Sequence, residues 1–223
     1  MKGKVISLHG IFPSRKIKWA LAAAAILLVL LIVTGVVLWC TRDKLTQDRP
    51  EVTEIYGVPV HTVLIPETLP GRPGIKREVK FIVIHETGNP SEGAGAKAHS
   101  DYLLNGGEGT TSWHYTVDDH EIYHHIPDSE VSWNAGDQRK EPGGNMNGIS
   151  IELCVNSDGD FEKTFDNGAR LTAYLLKAYG LKIEDVKQHN HFNGKNCPQT
   201  IRESGRWQEF LDLTQRYLKQ KEK

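Results

Sequence analysis

The chain has 223 residues, with 27 Lys+Arg against 28 Asp+Glu and 39% hydrophobic residues. That suffices for one globular domain with an appendage and falls short of two. The net charge of −1 argues against a general nucleic-acid binder, and three cysteines (Cys40, Cys154, Cys197) cannot build a disulfide framework.

Charge is unevenly spread. Residues 1–18 hold Lys2, Lys4, Arg15, Lys16 and Lys18 and no acid, while the remainder holds 22 bases and 28 acids. Between them, Trp19 to Cys40 carries no charge at all. At about 1.5 Å per residue that run spans a ~30 Å hydrocarbon core. Trp19 and Trp39 stand at its ends, where aromatic rings favour the interface. The positive-inside rule puts the N-terminus in the cytosol and the rest outside. The competing reading is a cleaved signal peptide. Its apolar core is about 7–15 residues and is followed by small residues, whereas Leu38-Trp39-Cys40 is bulky and also disfavours a lipoprotein-type cysteine. The expected organisation is a basic cytoplasmic tail (1–18), a transmembrane anchor (19–40), a linker (41–58) and one extracytoplasmic domain (59–223). The lipid bilayer is then a partner, and the protein is a single-pass protein of the cell membrane.

In the soluble part, Tyr56-Gly57-Val58-Pro59 is turn-prone. Lys80 to His85 is an apolar, β-branched run closed by Glu86-Thr87-Gly88-Asn89-Pro90, which predicts a buried strand ending in a loop. A helix is predicted over Ala94 to Leu104, stopped at Asn105-Gly106-Gly107. Trp113 to Val117 and Glu121 to Ile126 predict a hairpin around Asp118-Asp119-His120. A short strand is expected over Glu130 to Asn134, and a strong one over Gly148 to Val155. Helical spacing of Leu171, Leu175, Leu176 and Tyr179 predicts a helix over Thr164 to Tyr179, stopped by Gly180. A terminal helix is expected from Ile201 to Lys219. Strands interleaved with helices predict an α/β domain, one mixed sheet flanked by helices, preceded by the transmembrane helix.

Ten histidines raise the expectation of metal or acid–base chemistry. His85 stands where a rigid strand opens into a loop. A lone histidine there is more readily structural. His189 and Cys197 lie eight apart in a polar loop, and imidazole nitrogen and thiolate sulfur both suit Zn²⁺. With His85 they would form a His₂Cys set that leaves a fourth position for water. Glu152 lies mid-strand in an apolar run, where a carboxylate is costly unless paired or functional. A salt bridge and a general base both remain open. Lys195, two residues before Cys197, is placed to stabilise an oxyanion if it lies beside a metal.

Taken together, these residues resemble the zinc-dependent N-acetylmuramoyl-L-alanine amidases of the type 2 amidase group, related to peptidoglycan recognition proteins and phage endolysin amidases. The resemblance covers about residues 60–220. It is carried by Ile82 to Thr87, Ser112 to Asp119, Ile122 to Pro127, Trp133 to Asp137, Gly148 to Cys154 and, most specifically, His189 to Pro198. It implies His85, His189 and Cys197 as Zn²⁺ ligands, Glu152 as the catalytic glutamate and Lys195 as the oxyanion-side lysine. The implied substrate is peptidoglycan, cleaved between the lactyl group of N-acetylmuramic acid and L-alanine. His191 is not assigned to the metal. Some relatives carry a tyrosine near the zinc; here Trp113 stands at that position and Tyr115 two residues on, so that role is not carried over. His114, Trp133 and Asn134 are expected at the substrate cleft, with polar packing the stronger reading for His114 and His124 and plain core an equal one for Trp133. Two rivals are a non-catalytic peptidoglycan-binding receptor and a cysteine peptidase using Cys197. The first typically lacks the cysteine ligand. The second expects its cysteine at a helix N-terminus.

Overall fold

The computed structural model describes residues 19, 24, 26–36 and 52–220. Residues 19, 24 and 26–36 are helical, and Ile26 to Val33 and Val36 are exposed. No helix among the described residues is long and apolar enough to cross a membrane. The remainder of the expected anchor, the basic tail and most of the expected linker lie outside the described residues.

From Val52 onward the chain builds one seven-stranded sheet. Its strands are β1 (Glu54–Ile55), β2 (Val58–Thr62), β3 (Phe81–Glu86), β4 (Tyr115–Val117), β5 (Ile122–His124), β6 (Gly148–Leu153) and β7 (Val186–Gln188). Their spatial order is β1-β2-β5-β4-β6-β3-β7. β1/β2 and β4/β5 are antiparallel; β2/β5, β4/β6, β6/β3 and β3/β7 are parallel. The sheet is therefore mixed, as expected, with its two apolar runs side by side at β3 and β6. All six residues of β6 are buried, the polar Ser150 and Glu152 included.

The helices are α1 (Ala96–Leu104), α2 (Gly144–Asn147), α3 (Phe161–Tyr179), α4 (Asn190–Asn193), α5 (Gln199–Glu203) and α6 (Trp207–Lys219), with a 3₁₀ turn at Ile183–Asp185. One sheet face presents Ile82, Ile84, Ile149, Ile151 and Leu153 to Leu171, Leu175, Phe165 and Phe210 of α3 and α6, forming the main core. Gly168 permits close approach there, since a Cβ at that position would stand 2.5 Å from the Leu153 side chain. The other face carries α1 and the functional loops, over smaller clusters around Trp113 and Tyr123.

Several expectations change. Tyr56-Gly57 is a turn, but it joins two strands, so the stretch expected as linker already contributes β1. β7 carries one buried residue in three and gives no apolar signal. Glu130 to Asn134 is no strand. Only a single bridge, Lys76 to Glu130, forms there. Side chains take over the backbone donors: Trp133 N–H donates to Ser112 Oγ (3.1 Å) and Asn134 N–H to Asn145 Oδ1 (3.0 Å). α3 starts three residues earlier than expected because Asp160 caps the N–H groups of Glu162 and Lys163. The expected terminal helix is two helices, broken where Gly205 takes φ +70°.

Candidate active site

The site lies at the carboxyl ends of the parallel strands, where chain turns outward and leaves backbone groups accessible. His85 on β3 and Glu152 on β6 are Cα partners, and Thr116 on β4 is the partner of Glu152 on its other side. Strand alternation therefore puts Thr116, Glu152 and His85 in one row on the face away from the main core. His189 extends the row: it follows β7 directly, and its N–H donates to the Ile84 carbonyl at 3.1 Å.

The returning loop brings in Cys197. Asn190 ties this loop, its side chain donating to the carbonyls of Gly194 and Lys195, both at 2.9 Å, and its N–H to the Cys197 carbonyl at 3.1 Å. As a result, ligand atoms of His85, His189 and Cys197 lie within 4.8 Å of one another, and all three residues are buried. The two imidazole rings are 4.6 Å apart at their centroids.

Electrostatics set the protonation states. Burial, reinforced by His189 and Lys195, holds the His85 imidazole well below its usual range. Burial and Lys195 bring His189 down to about 4. Both rings are thus neutral at physiological pH, the form that binds a cation. Burial pushes the Glu152 carboxyl up to about 7, against the opposing pull of the Lys195 ammonium. Glu152 Oε1 lies 3.7 Å from His85 Nδ1.

Unpartnered atoms test whether this pocket fits a metal. His85 Nε2, both nitrogens of His189 and Glu152 Oε2 are buried without a hydrogen-bond partner. Buried polar atoms are almost always paired, so four orphans in one place need a ligand. Two neutral imidazoles and one thiol are a donor set that suits zinc, and the fit is good.

The other expected residues divide. Lys195 is exposed, yet its charge acts on Glu152, His85, His189 and Cys197 together, so it stands beside the centre. Asn134 is half-buried, with Oδ1 accepting from Ser150 Oγ at 2.8 Å and Nδ2 buried and unpaired. Trp133 is half-buried at the lip, with the Arg139 guanidinium 5.7 Å from its ring centroid. His114, expected near the cleft with polar packing the stronger reading, is fully buried. Ser150 N–H donates to its Nδ1 at 3.1 Å, so its Nε2 carries the proton and donates to the Glu130 carbonyl at 2.9 Å. Burial and the nearby Arg77 charge bring it down to about 3. His124 stacks on Tyr115 at 4.4 Å, and strand parity places that pair on the face opposite Glu152. Changing His114 to Ala removes its buried ring hydrogen bonds, those to Ser150, Ser132 and Glu130 among them, and opens a cavity. A stability loss of about 3 kcal/mol is expected in denaturant unfolding. A rise in KM at unchanged stability would instead restore the substrate-contact reading.

A groove of about 300 Å³ runs along α1, lined by Thr87, Asn89, Ala94, Ala98, His99, Tyr102 and Trp113. It begins two residues past His85, and Trp113 is held in it by donating to Thr116 Oγ1 at 2.7 Å. Three residues at the site went unnoticed in the sequence. Glu86 caps α5, Asp137 caps α2, and Asn145 holds the backbone of Asn134 and Ala135. For Glu86 a clue existed in its place directly after His85; the other two act through turns that carry no local pattern.

Known proteins resemble this chain in sequence and fold. A family model described as N-acetylmuramoyl-L-alanine amidase matches residues 75–200. The N-acetylmuramoyl-L-alanine amidase XlyA of Bacillus subtilis (strain 168) is 40% identical over 146 residues, covering 66% of this chain and 48% of that protein. CwlH of the same organism, also named as such an amidase, is 38% identical over 148 residues, covering 66% and 58%. The chain thus spans about half the length of these curated relatives. Among solved structures, the catalytic domain of XlyA matches with TM-score 0.66 and 38% identity over 70% of this chain and 99% of that one. A mutant endolysin from Bacillus subtilis matches with TM-score 0.67 and 39% identity over the same shares. On its sequence, its sheet and the constellation at the strand ends, this chain belongs to the N-acetylmuramoyl-L-alanine amidase family.

Proposed function

We propose that this protein is a zinc-dependent peptidoglycan amidase that hydrolyses the amide between the lactyl group of N-acetylmuramic acid and the L-alanine of the stem peptide. The observation that carries the reading is the convergence of unpaired ligand atoms of His85 and His189 with Cys197, beside a buried Glu152. The activity named for the relatives supports it.

His85, His189 and Cys197 would hold the metal through nitrogen and sulfur. Bound there, zinc supplies Lewis acidity, which lowers the pKa of water towards ~7 and polarises the scissile carbonyl. Glu152 takes the proton of the attacking water at its unpaired Oε2 and returns it to the departing alanine nitrogen. The Lys195 ammonium sets positive charge where the carbonyl oxygen turns negative. The groove along α1 takes the muramyl peptide, with the half-buried Trp133 and Asn134 as further contacts.

The proposal includes location. The basic tail, the charge-free stretch 19–40 and the exposed apolar helix at 26–36 support a single-pass anchor with the amidase domain outside the membrane. Such a tether would hold the enzyme against the wall.

Mass spectrometry of peptidoglycan digested by the full chain tests the reaction. Free stem peptides beginning in alanine, with glycan strands intact, are expected. Intact peptidoglycan despite bound zinc would point to a wall-binding receptor instead. Cleavage within the stem peptide would keep the metal centre and overturn the bond assignment.

A further inference from the structure

Glu86 follows His85 on β3, so alternation points its side chain to the opposite face of the sheet. On that face lies α5, whose Ile201 is buried in the main core. The Glu86 carboxylate accepts two backbone N–H groups there, Thr200 at Oε2 (2.8 Å) and Ile201 at Oε1 (3.0 Å). Both are orphan donors in the first turn of α5, and a carboxylate satisfies them with favourable charge. No side chain of the segment's own cap residue, Pro198, accepts a bond from that turn.

The connection matters because of where α5 starts. Cys197 precedes it by one residue, Pro198, and is the ligand delivered by a loop rather than by a strand end.

We propose that Glu86 is a positioning residue, a clasp that fixes the Cys197 loop to the strand carrying His85 and so presets the spacing of the metal ligands. This rests on the zinc reading given above. Without the clasp, the loop must pay ordering entropy each time the metal binds. Groups that orient metal ligands from outside typically contribute about 10–100-fold to affinity.

The test is the zinc affinity of the purified full chain, by competition with a chromophoric chelator, for wild type, Glu86→Ala and Glu86→Gln. The thermal midpoint of each metal-free form is recorded alongside. The expected result is a 10–100-fold weaker affinity for Glu86→Ala. A smaller loss is expected for Glu86→Gln, whose amide oxygen still accepts one N–H. With Co²⁺ in place of zinc, Glu86→Ala should show altered thiolate-to-cobalt charge transfer, while wild type and Glu86→Gln share one spectrum. A merely structural role would lower the metal-free midpoint and leave affinity and cobalt spectrum unchanged, and that result overturns the clasp. Should Glu86→Ala fail to fold, Glu86→Gln decides alone through its affinity: a value within twofold of wild type overturns the proposal. Wild type that binds no zinc would overturn the zinc reading itself, an outcome visible before any variant is compared.

Discussion

Glu152→Gln should lower amide hydrolysis by about 10²–10⁴-fold, the range a positioned general base contributes, while leaving zinc bound. The amide keeps the size of the carboxyl and loses only the ability to take a proton. Stability should move the other way. In the metal-free protein burial holds the Glu152 carboxyl at about 7, above its ordinary 4.5, so the fold disfavours the ionised form. That penalty is absent below pH 4.5, grows as pH rises towards 7 and is complete above it. Metal-free wild type should therefore lose stability relative to Glu152→Gln across that window, by a few kcal/mol at pH 8. Denaturant unfolding of both proteins at pH 4 and pH 8 measures this. Equal pH dependence in the two would mean that Glu152 is not the strained acid the site requires. Retained hydrolysis in Glu152→Gln would remove it from the chemistry.

Metal removal is the second large effect. Dialysis against a strong chelator should abolish hydrolysis, and added Zn²⁺ should restore it. Cys197→Ala should bind zinc more weakly by well over the about 10–100-fold that a supporting group contributes, because one of three ligands is gone. Binding to the folded state alone stabilises it by ~2.7 kcal/mol at a hundred times Kd. For a domain of this size that raises Tm by roughly 5–10 °C. Calorimetry with and without Zn²⁺ should show the rise in wild type and none in Cys197→Ala. The same experiment separates the cysteine-peptidase alternative. Without metal, burial pushes the Cys197 thiol up to about 12, so it is no ready nucleophile at neutral pH. Activity that survives the chelator and dies on alkylation would nevertheless establish that alternative.

Much of the centre was legible because strand alternation is a local rule. Apolar runs ending at His85 and spanning Glu152 already fix which face each side chain takes, whatever else surrounds them. His189 and Cys197, eight positions apart in a polar segment, were equally readable as ligand spacing. The same local rule misled where it met its limits. Glu130 to Asn134 has strand-like composition, but Ser112 and Asn145 capture its backbone donors from far along the chain. β1, β2 and β7 are short and carry few apolar residues; neighbours in the sheet make them strands. His114 looks like any cleft histidine in sequence, and only packing shows both its nitrogens already engaged.

The sequence by itself determined which residues could carry the chemistry, because the capacity to ligate, donate or accept belongs to the residue type, and because strand and helix periods are local. Tertiary structure alone decided which of them work together. Parallel pairing of β3 with β6 and β7 sets His85 beside Glu152 and His189. Burial supplies the desolvation that keeps the imidazoles neutral and raises the carboxyl. Both depend on segments far apart in the chain meeting at the same end of neighbouring strands, a separation over which no local pattern in the chain can act.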